Sequence, residues 1–261
     1  MNKEIKIQGL KIRYKTAGKG VPVLMLHGWG GSSDSWEEVI EILGKNNFQV
    51  FCPDLPGFGK SEDPKEPWKI NNYISFLLDF IKKMQIDEFY LIGHSFGGGI
   101  STKLASEHPQ IVKRVILCDA AIVRAKKRLS FRQKVAKTSS KLAKPLLKTN
   151  VFEEKIKPKL QPIIYKIAGN YDYYHANDTM KQTFKQITEE DLRPFASYIK
   201  KPTLVVWGEN DTTTPTEDAW ALKNIIETAE VRIIKNVAHS PHLKAPKELS
   251  SVIIDFLNKE I

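Results

Sequence analysis

The stretch Phe89-Tyr90-Leu91-Ile92-Gly93-His94-Ser95-Phe96-Gly97-Gly98-Gly99 runs from apolar residues through a glycine-flanked serine into a helical pattern. Gly93, Ser95 and Gly97 have the Gly-x-Ser-x-Gly spacing that seats a serine on a sharp strand-to-helix turn. Glycines beside the serine let two backbones approach closely and tolerate the strained turn. The chemistry such a serine performs is nucleophilic attack, with its hydroxyl presented at the carboxyl end of a sheet. Short glycine–serine turns are common, so the weight rests on the strand–turn–helix order and on the partners found downstream.

A serine hydroxyl is a poor nucleophile unless a base takes its proton and a third group orients that base. In alternating strand–helix topology the base should leave the loop after the last strand, and Asn236-Val237-Ala238-His239 follows that strand directly. His239 is therefore the expected base, with His242, three residues on, as its competitor. The acid should leave the loop after the preceding strand, Trp207-Gly208-Glu209-Asn210-Asp211. Asp211 is preferred, Glu209 is placed beside the turn, and Asp119, directly after the strand ending at Cys118, is the alternative. An oxyanion needs two fixed donors. The backbone N–H of Phe96 is one; the N–H of Trp29, in His27-Gly28-Trp29-Gly30-Gly31, is the other. His27 is expected to brace this loop. A dinucleotide site is disfavoured, because no acidic residue closes the next strand in the needed place.

The elements that must position these residues follow from pattern. Residues 5–8 and 10–14 alternate around Gly9 as a hairpin, and residues 21–26, 48–52, 89–92, 114–118, 203–207 and 231–234 read as further strands. Ile70, Tyr73, Ile74, Leu77, Leu78, Ile81 and Met84 recur at helical spacing, and a last amphipathic helix covers about 246–258. Alternating strands and helices imply a mostly parallel, eight-stranded sheet with helices on both faces. The alternation stops at Ala121 and resumes near Lys201. The expected organisation is thus an α/β core from 1–121 and 201–261, with a helical, basic cap inserted at 122–200.

With 261 residues, 41% of them hydrophobic, the chain can build one enzyme-sized core. No apolar run approaches a membrane span, and the first residues lack the apolar region of a signal peptide. Two cysteines, Cys52 and Cys118, at the ends of buried strands fit a reducing compartment better than a disulfide framework. The expected location is the cytoplasm.

Together these motifs resemble the α/β-hydrolase superfamily, in its lidded branch of serine esterases, lactonases and C–C bond hydrolases. His27-Gly28-Trp29-Gly30-Gly31, Asp54-Leu55-Pro56-Gly57-Phe58-Gly59-Lys60-Ser61, Gly93-His94-Ser95-Phe96-Gly97-Gly98, Gly208-Glu209-Asn210-Asp211 and Ala238-His239 fall in the family's order. The resemblance covers about residues 9–121 and 201–261 and implies a cofactor-free, metal-free mechanism on Ser95, Asp211 and His239. A serine at the elbow speaks against carbon–halogen and epoxide cleavage, where relatives carry aspartate. His94 stands where the C–C hydrolases often have asparagine, and Ala238 replaces the usual glycine before the base. These departures leave the mechanism intact and loosen the transfer of a substrate. The expected activity is cleavage of carboxylic esters, with lactone or C–C bond hydrolysis on the same triad as alternatives.

The net charge of +10 is uneven: residues 121–201 hold 19 Lys/Arg against 7 Asp/Glu, and residues 124–159 hold 13 against 2. Three explanations compete for this basic cap. One is a solvated face, a second a docking surface for an acidic carrier protein or an anionic acyl substrate, and a third contact with an anionic lipid surface. No nucleic acid is expected, since no recognition motif accompanies the charge. A different class of function, a non-catalytic binding protein using the basic cap, would leave the serine unreactive.

Overall fold

A computed structural model describes residues 1–122 and 176–259. Eight strands form one sheet: β1 (Asn2–Ile7), β2 (Leu10–Ala17), β3 (Val21–Leu26), β4 (Phe48–Pro53), β5 (Phe89–His94), β6 (Val112–Cys118), β7 (Thr203–Gly208) and β8 (Ala229–Ile234). Their order is β1-β2-β4-β3-β5-β6-β7-β8. The β1–β2 and β2–β4 pairs are antiparallel and every other pair is parallel. The eight-stranded, mostly parallel sheet expected from the alternation is what forms. Gln8 and Gly9, both at positive φ (49° and 82°), make the tight hairpin turn that joins the first two strands.

The inner strands β3 to β7 are largely apolar on both faces because helices cover both. On one face Val23, Met25, Val50, Ile92, Ile116 and Val206 pack under α1 (Glu37–Gly44) and the C-terminal helix α8 (Pro246–Leu257). On the other, Leu24, Leu26, Leu91, Leu117, Val205 and Trp207 pack under α2 (Ile70–Lys83), α3 (Phe96–Glu107) and α6 (Thr216–Ile225). Adjacent strand residues fall alternately into the two layers, as a period of two requires. Each fully buried aliphatic side chain contributes about 1.5–3 kcal/mol.

Between β6 and β7 the described residues form α4 (Asp178–Glu189) and the single turn α5 (Arg193–Ala196). Met180, Ile187, Leu192 and Ala196 join the same core layer as α2 and α3, so this end of the expected cap is packed onto the core. The basic stretch 124–159 and its expected amphipathic helices lie outside the described residues. No helix among the described residues is long and apolar enough to cross a membrane.

β4 lies on one side of β3 and β5 on the other. The loops leaving β3 and β5 therefore diverge and open a crevice at the carboxyl ends of the strands, the usual ligand position in an open α/β sheet. Ser95, the residue between β5 and α3, stands at that crevice.

Candidate active site

Ser95 has φ +49° and ψ −113°, a conformation that costs a non-glycine residue free energy and persists only where its surroundings fix it. Three main-chain hydrogen bonds fix it. Its N–H donates to the Cys118 carbonyl at 3.0 Å, and its own carbonyl accepts from Gly99 and Ala121. The glycines serve close approach. A Cβ at Gly97 would lie 2.6 Å from the Leu26 carbonyl oxygen, and one at Gly28 would lie 3.3 Å from the Ser95 Cβ. The elbow and the loop after β3 are thereby pressed together.

His239 leaves the loop after β8, half-buried, with its Nε2 3.0 Å from Ser95 Oγ and its Nδ1 2.7 Å from Asp211 Oδ2. The Ser95–His239 contact joins residues 144 apart in the chain. Asp211 also accepts from the Thr213 and Thr214 N–H groups on Oδ1, at 2.7 and 3.0 Å, and from Thr214 Oγ1 on Oδ2 at 2.7 Å. Burial raises the Asp211 pKa, but the hydrogen bond and charge of His239, followed by the Thr214 donors, outweigh it and hold the carboxyl below its ordinary value. An ionised Asp211 keeps the proton of His239 on Nδ1 and leaves Nε2 free to accept from Ser95.

The two sequence-level competitors are held elsewhere. His242 is buried in the turn α7 (Pro241–Lys244), its ring 4.5 Å from Trp36 and 4.3 Å from His94, and burial pushes its pKa down to about 3. Asp119 Oδ1 accepts the Gly208 N–H at 2.9 Å, tying β6 to β7. Burial pushes the Asp119 carboxyl up to about 8, with the Gly208 N–H opposing and the nearby charge of Asp211 adding to the rise. Glu209 sits beside the turn as expected, accepting the Asn236 N–H at 2.9 Å.

The N–H groups of Trp29 and Phe96 have no acceptor among the described residues. Phe96 opens α3, whose N-terminal dipole favours negative charge there. The Trp29 and Phe96 rings meet edge-on at 5.7 Å, and Phe58 and Phe184 stand 4.7 and 4.9 Å from Trp29. His27 braces the loop as expected. Its Nδ1–H donates to the Gly28 carbonyl at 2.8 Å and its Nε2 accepts the Leu55 N–H at 2.9 Å, and burial keeps its pKa low. The residue before Leu55, buried Asp54, takes the Ser33 and Lys60 N–H groups and the Arg13 guanidinium. Beside the Trp29 loop a cavity of about 470 Å³ is walled by Trp29, Phe58 and Met180, with Asp63 and Asn177 at its polar end.

The ligating atoms of Asp119, Asp211 and His239 lie within 4.8 Å of one another, yet four protein donors already meet Asp211. The cluster is built as a hydrogen-bond relay. Such a relay, a serine on a strained elbow and two free amides can together run acyl transfer.

A family model described as the alpha/beta hydrolase fold matches residues 21–246. The chain belongs to the α/β-hydrolase family. This α/β-hydrolase is 26% identical to the 2-hydroxy-6-oxo-6-(2'-aminophenyl)hexa-2,4-dienoic acid hydrolase of Metapseudomonas resinovorans, over 96% of this chain and 89% of that one. It is 24% identical to a monoacylglycerol lipase of Xenopus laevis, over 96% and 83% of the two chains. The enol-lactonase of Burkholderia xenovorans shares its fold, with a TM-score of 0.75 at 23% identity, covering 98% of this chain and 100% of that chain. Membership and these relatives make the chain a hydrolase.

Two site residues escaped the sequence. Thr214 holds Asp211 through its hydroxyl and places that oxygen 3.2 Å from His239 Nδ1; the Thr212-Thr213-Thr214-Pro215 run signalled only a turn. His94 stood out as a departure from the C–C hydrolases, but nothing in the sequence announced that its ring reaches the His239 carbonyl, 2.7 Å away.

Proposed function

We propose that this α/β-hydrolase cleaves carboxylic esters through an acyl-enzyme on Ser95. The observation that carries the proposal is the His239 ring, within hydrogen-bond reach of Ser95 Oγ on one side and Asp211 on the other. Ser95 Oγ attacks the ester carbonyl and its proton passes to His239 Nε2. The resulting imidazolium is held by Asp211, and the oxyanion is met by the Trp29 and Phe96 N–H groups. The intermediate collapses as the alcohol leaves with the proton from His239. Water then repeats the sequence and releases the acid. Each oxyanion donor of this type contributes about 10²–10³ in rate.

The cavity beside the Trp29 loop, with Phe58 and Met180 as well as Asp63 and Asn177 in its wall, would take part of a small-molecule ester. Lactones fit the same steps, since ring opening differs only in keeping the alcohol attached. A C–C bond substrate is the second reading, favoured by the relative that hydrolyses a dienoic acid. We place the chain in the cytoplasm, assign residues 122–200 as a cap on the core, and offer an acidic carrier protein or an anionic lipid surface as partners of the basic segment. The mechanism needs no cofactor.

Ser95→Ala tests the assignment. Turnover of a nitrophenyl ester should fall by about 10⁴-fold or more, with thermal unfolding unchanged, and labelling by a fluorophosphonate should vanish. Near-normal ester cleavage by the variant would reject the nucleophile. A chain-length panel of nitrophenyl esters, run beside lactones and a dienoate, ranks the bond types. Wild-type protein unlabelled by fluorophosphonate would mark a binding protein instead.

A further inference from the structure

His94 is a buried titratable group that the mechanism above does not use, and its ring, carried on the elbow, meets the loops after β3 and β8. Its Nε2–H donates to the main-chain carbonyl of His239 at 2.7 Å, across 145 residues of sequence. Among the described residues no other donor meets that carbonyl. A Cβ placed on Gly28 would lie 2.8 Å from His94 Nδ1, so the loop carrying the Trp29 amide runs against the opposite edge of the ring. His94 is also the residue before Ser95, so the same side chain is anchored on the elbow.

The imidazoles of His239 and His242 stand 5.0 and 4.3 Å from the His94 ring, and the Trp36 indole 6.4 Å. Burial, then the proximity of His242, His239 and His27, holds the His94 pKa far below the ordinary histidine value. The ring is therefore neutral, with one proton, and the bond to the His239 carbonyl requires that proton on Nε2.

The catalytic geometry constrains His239 at both ring nitrogens, at 3.0 and 2.7 Å. The loop is held on either side of His239, where the Val237 carbonyl accepts the Asn210 N–H at 2.8 Å and the Ser240 carbonyl accepts from Leu243 and Lys244, but among the described residues the His239 carbonyl itself is met by His94 alone. We propose that His94 is a positioning residue, whose Nε2–H pins the His239 main chain and so keeps the imidazole aligned between Ser95 and Asp211. The inference rests on Ser95, His239 and Asp211 being the working triad.

The test compares His94→Phe, which keeps a flat ring without a donor, with His94→Gln, whose amide can place a donor near the same point. A misplacement of about 1 Å at a reacting group costs about 10²-fold. His94→Phe should lower kcat by about that factor with KM within about twofold, and His94→Gln should restore kcat to within about fivefold of wild type. Long-range nitrogen–proton NMR of wild-type imidazoles should find His94 neutral, with its proton on Nε2, from pH 5.5 to 9. A folded Phe variant with wild-type kcat, a folded Gln variant as slow as Phe, or a loss confined to KM would overturn the proposal. So would a His94 ring that titrates in this range or carries its proton on Nδ1, and that reading decides the matter if the Phe variant does not fold. Ser95→Ala, assayed alongside, separates the two levels: retained turnover there sinks the triad itself, whereas failure at His94 alone leaves the triad standing.

Discussion

Replacing Asp211 by asparagine tests the relay at its most sensitive joint. Oδ1 of Asp211 faces two main-chain N–H groups, and Oδ2 faces His239 Nδ1 and Thr214 Oγ1. An asparagine there keeps its carbonyl oxygen on the N–H pair and turns its NH₂ toward His239. Nδ1 must then accept, so the ring proton moves to Nε2, which can no longer take a proton from Ser95. In a serine protease triad the same exchange lowers kcat about 10⁴-fold, equivalent to about 5 kcal/mol of transition-state stabilisation. Asp211→Asn should therefore lose about 10³–10⁴ in kcat/KM on a nitrophenyl ester, and its fluorophosphonate labelling should slow in parallel. Asp119→Asn keeps an oxygen for the Gly208 N–H, now at 2.9 Å, and should lose less than about tenfold. Both variants need thermal unfolding first, so that only folded protein is compared. A larger loss at Asp119 than at Asp211 would refute the reasoning and move the acid to the loop after β6.

Two further predictions concern stability. The Asp119 carboxyl is raised from an ordinary 3.8 to about 8 in the folded chain, so between those values the native state holds a proton that the unfolded chain has lost. Unfolding free energy should fall as pH rises from about 4 to about 8, by at most about 1.4 kcal/mol per pH unit from this group. Denaturant titrations at pH 5 and pH 8 should show a flatter dependence for Asp119→Asn, and identical slopes would contradict the assignment. Gly97→Ala would set a methyl 2.6 and 2.7 Å from the Leu26 and His27 carbonyl oxygens. Since backbone cannot yield cheaply, it should destabilise the fold by about 1–3 kcal/mol; an unchanged denaturation midpoint would show that α3 is less tightly seated than described.

Most of the fold was legible because its inner strands are apolar on both faces, its hairpin strands alternate and its helices are apolar on one face, so the period of the pattern changes at each element. The hairpin at Gln8–Gly9, the strand into Ser95 and the alternation after Lys201 all carry that signal. The pattern blurred at element ends: β6 begins at Val112 and β8 at Ala229, where pairing with neighbouring strands extends segments whose own polarity argued for loop. Residues 178–196 read as part of a cap, and their packing on the core depends on Met180, Ile187 and Leu192 finding a surface that only the assembled sheet offers.

For the site, the chain alone determined the chemistry on offer. Ser95 between close-packing glycines, an acid after β7 and a histidine after β8 are local features, each set by residue type and by the strand before it. Tertiary structure decided which side chains meet. His239 and His242 stand three residues apart in loops of similar polarity, yet one ring faces Ser95 and the other is drawn against Trp36. Asp119 and Asp211 both follow parallel strands, but only Asp211 bonds to the imidazole, while the Gly208 amide engages Asp119. The hydroxyl of Thr214 and the ring of His94 gained their places by the same route. A side chain's direction at a loop is set by what packs against that loop, and its neighbours there come from other segments, for His239 as far as 144 residues away at Ser95 and 145 at His94.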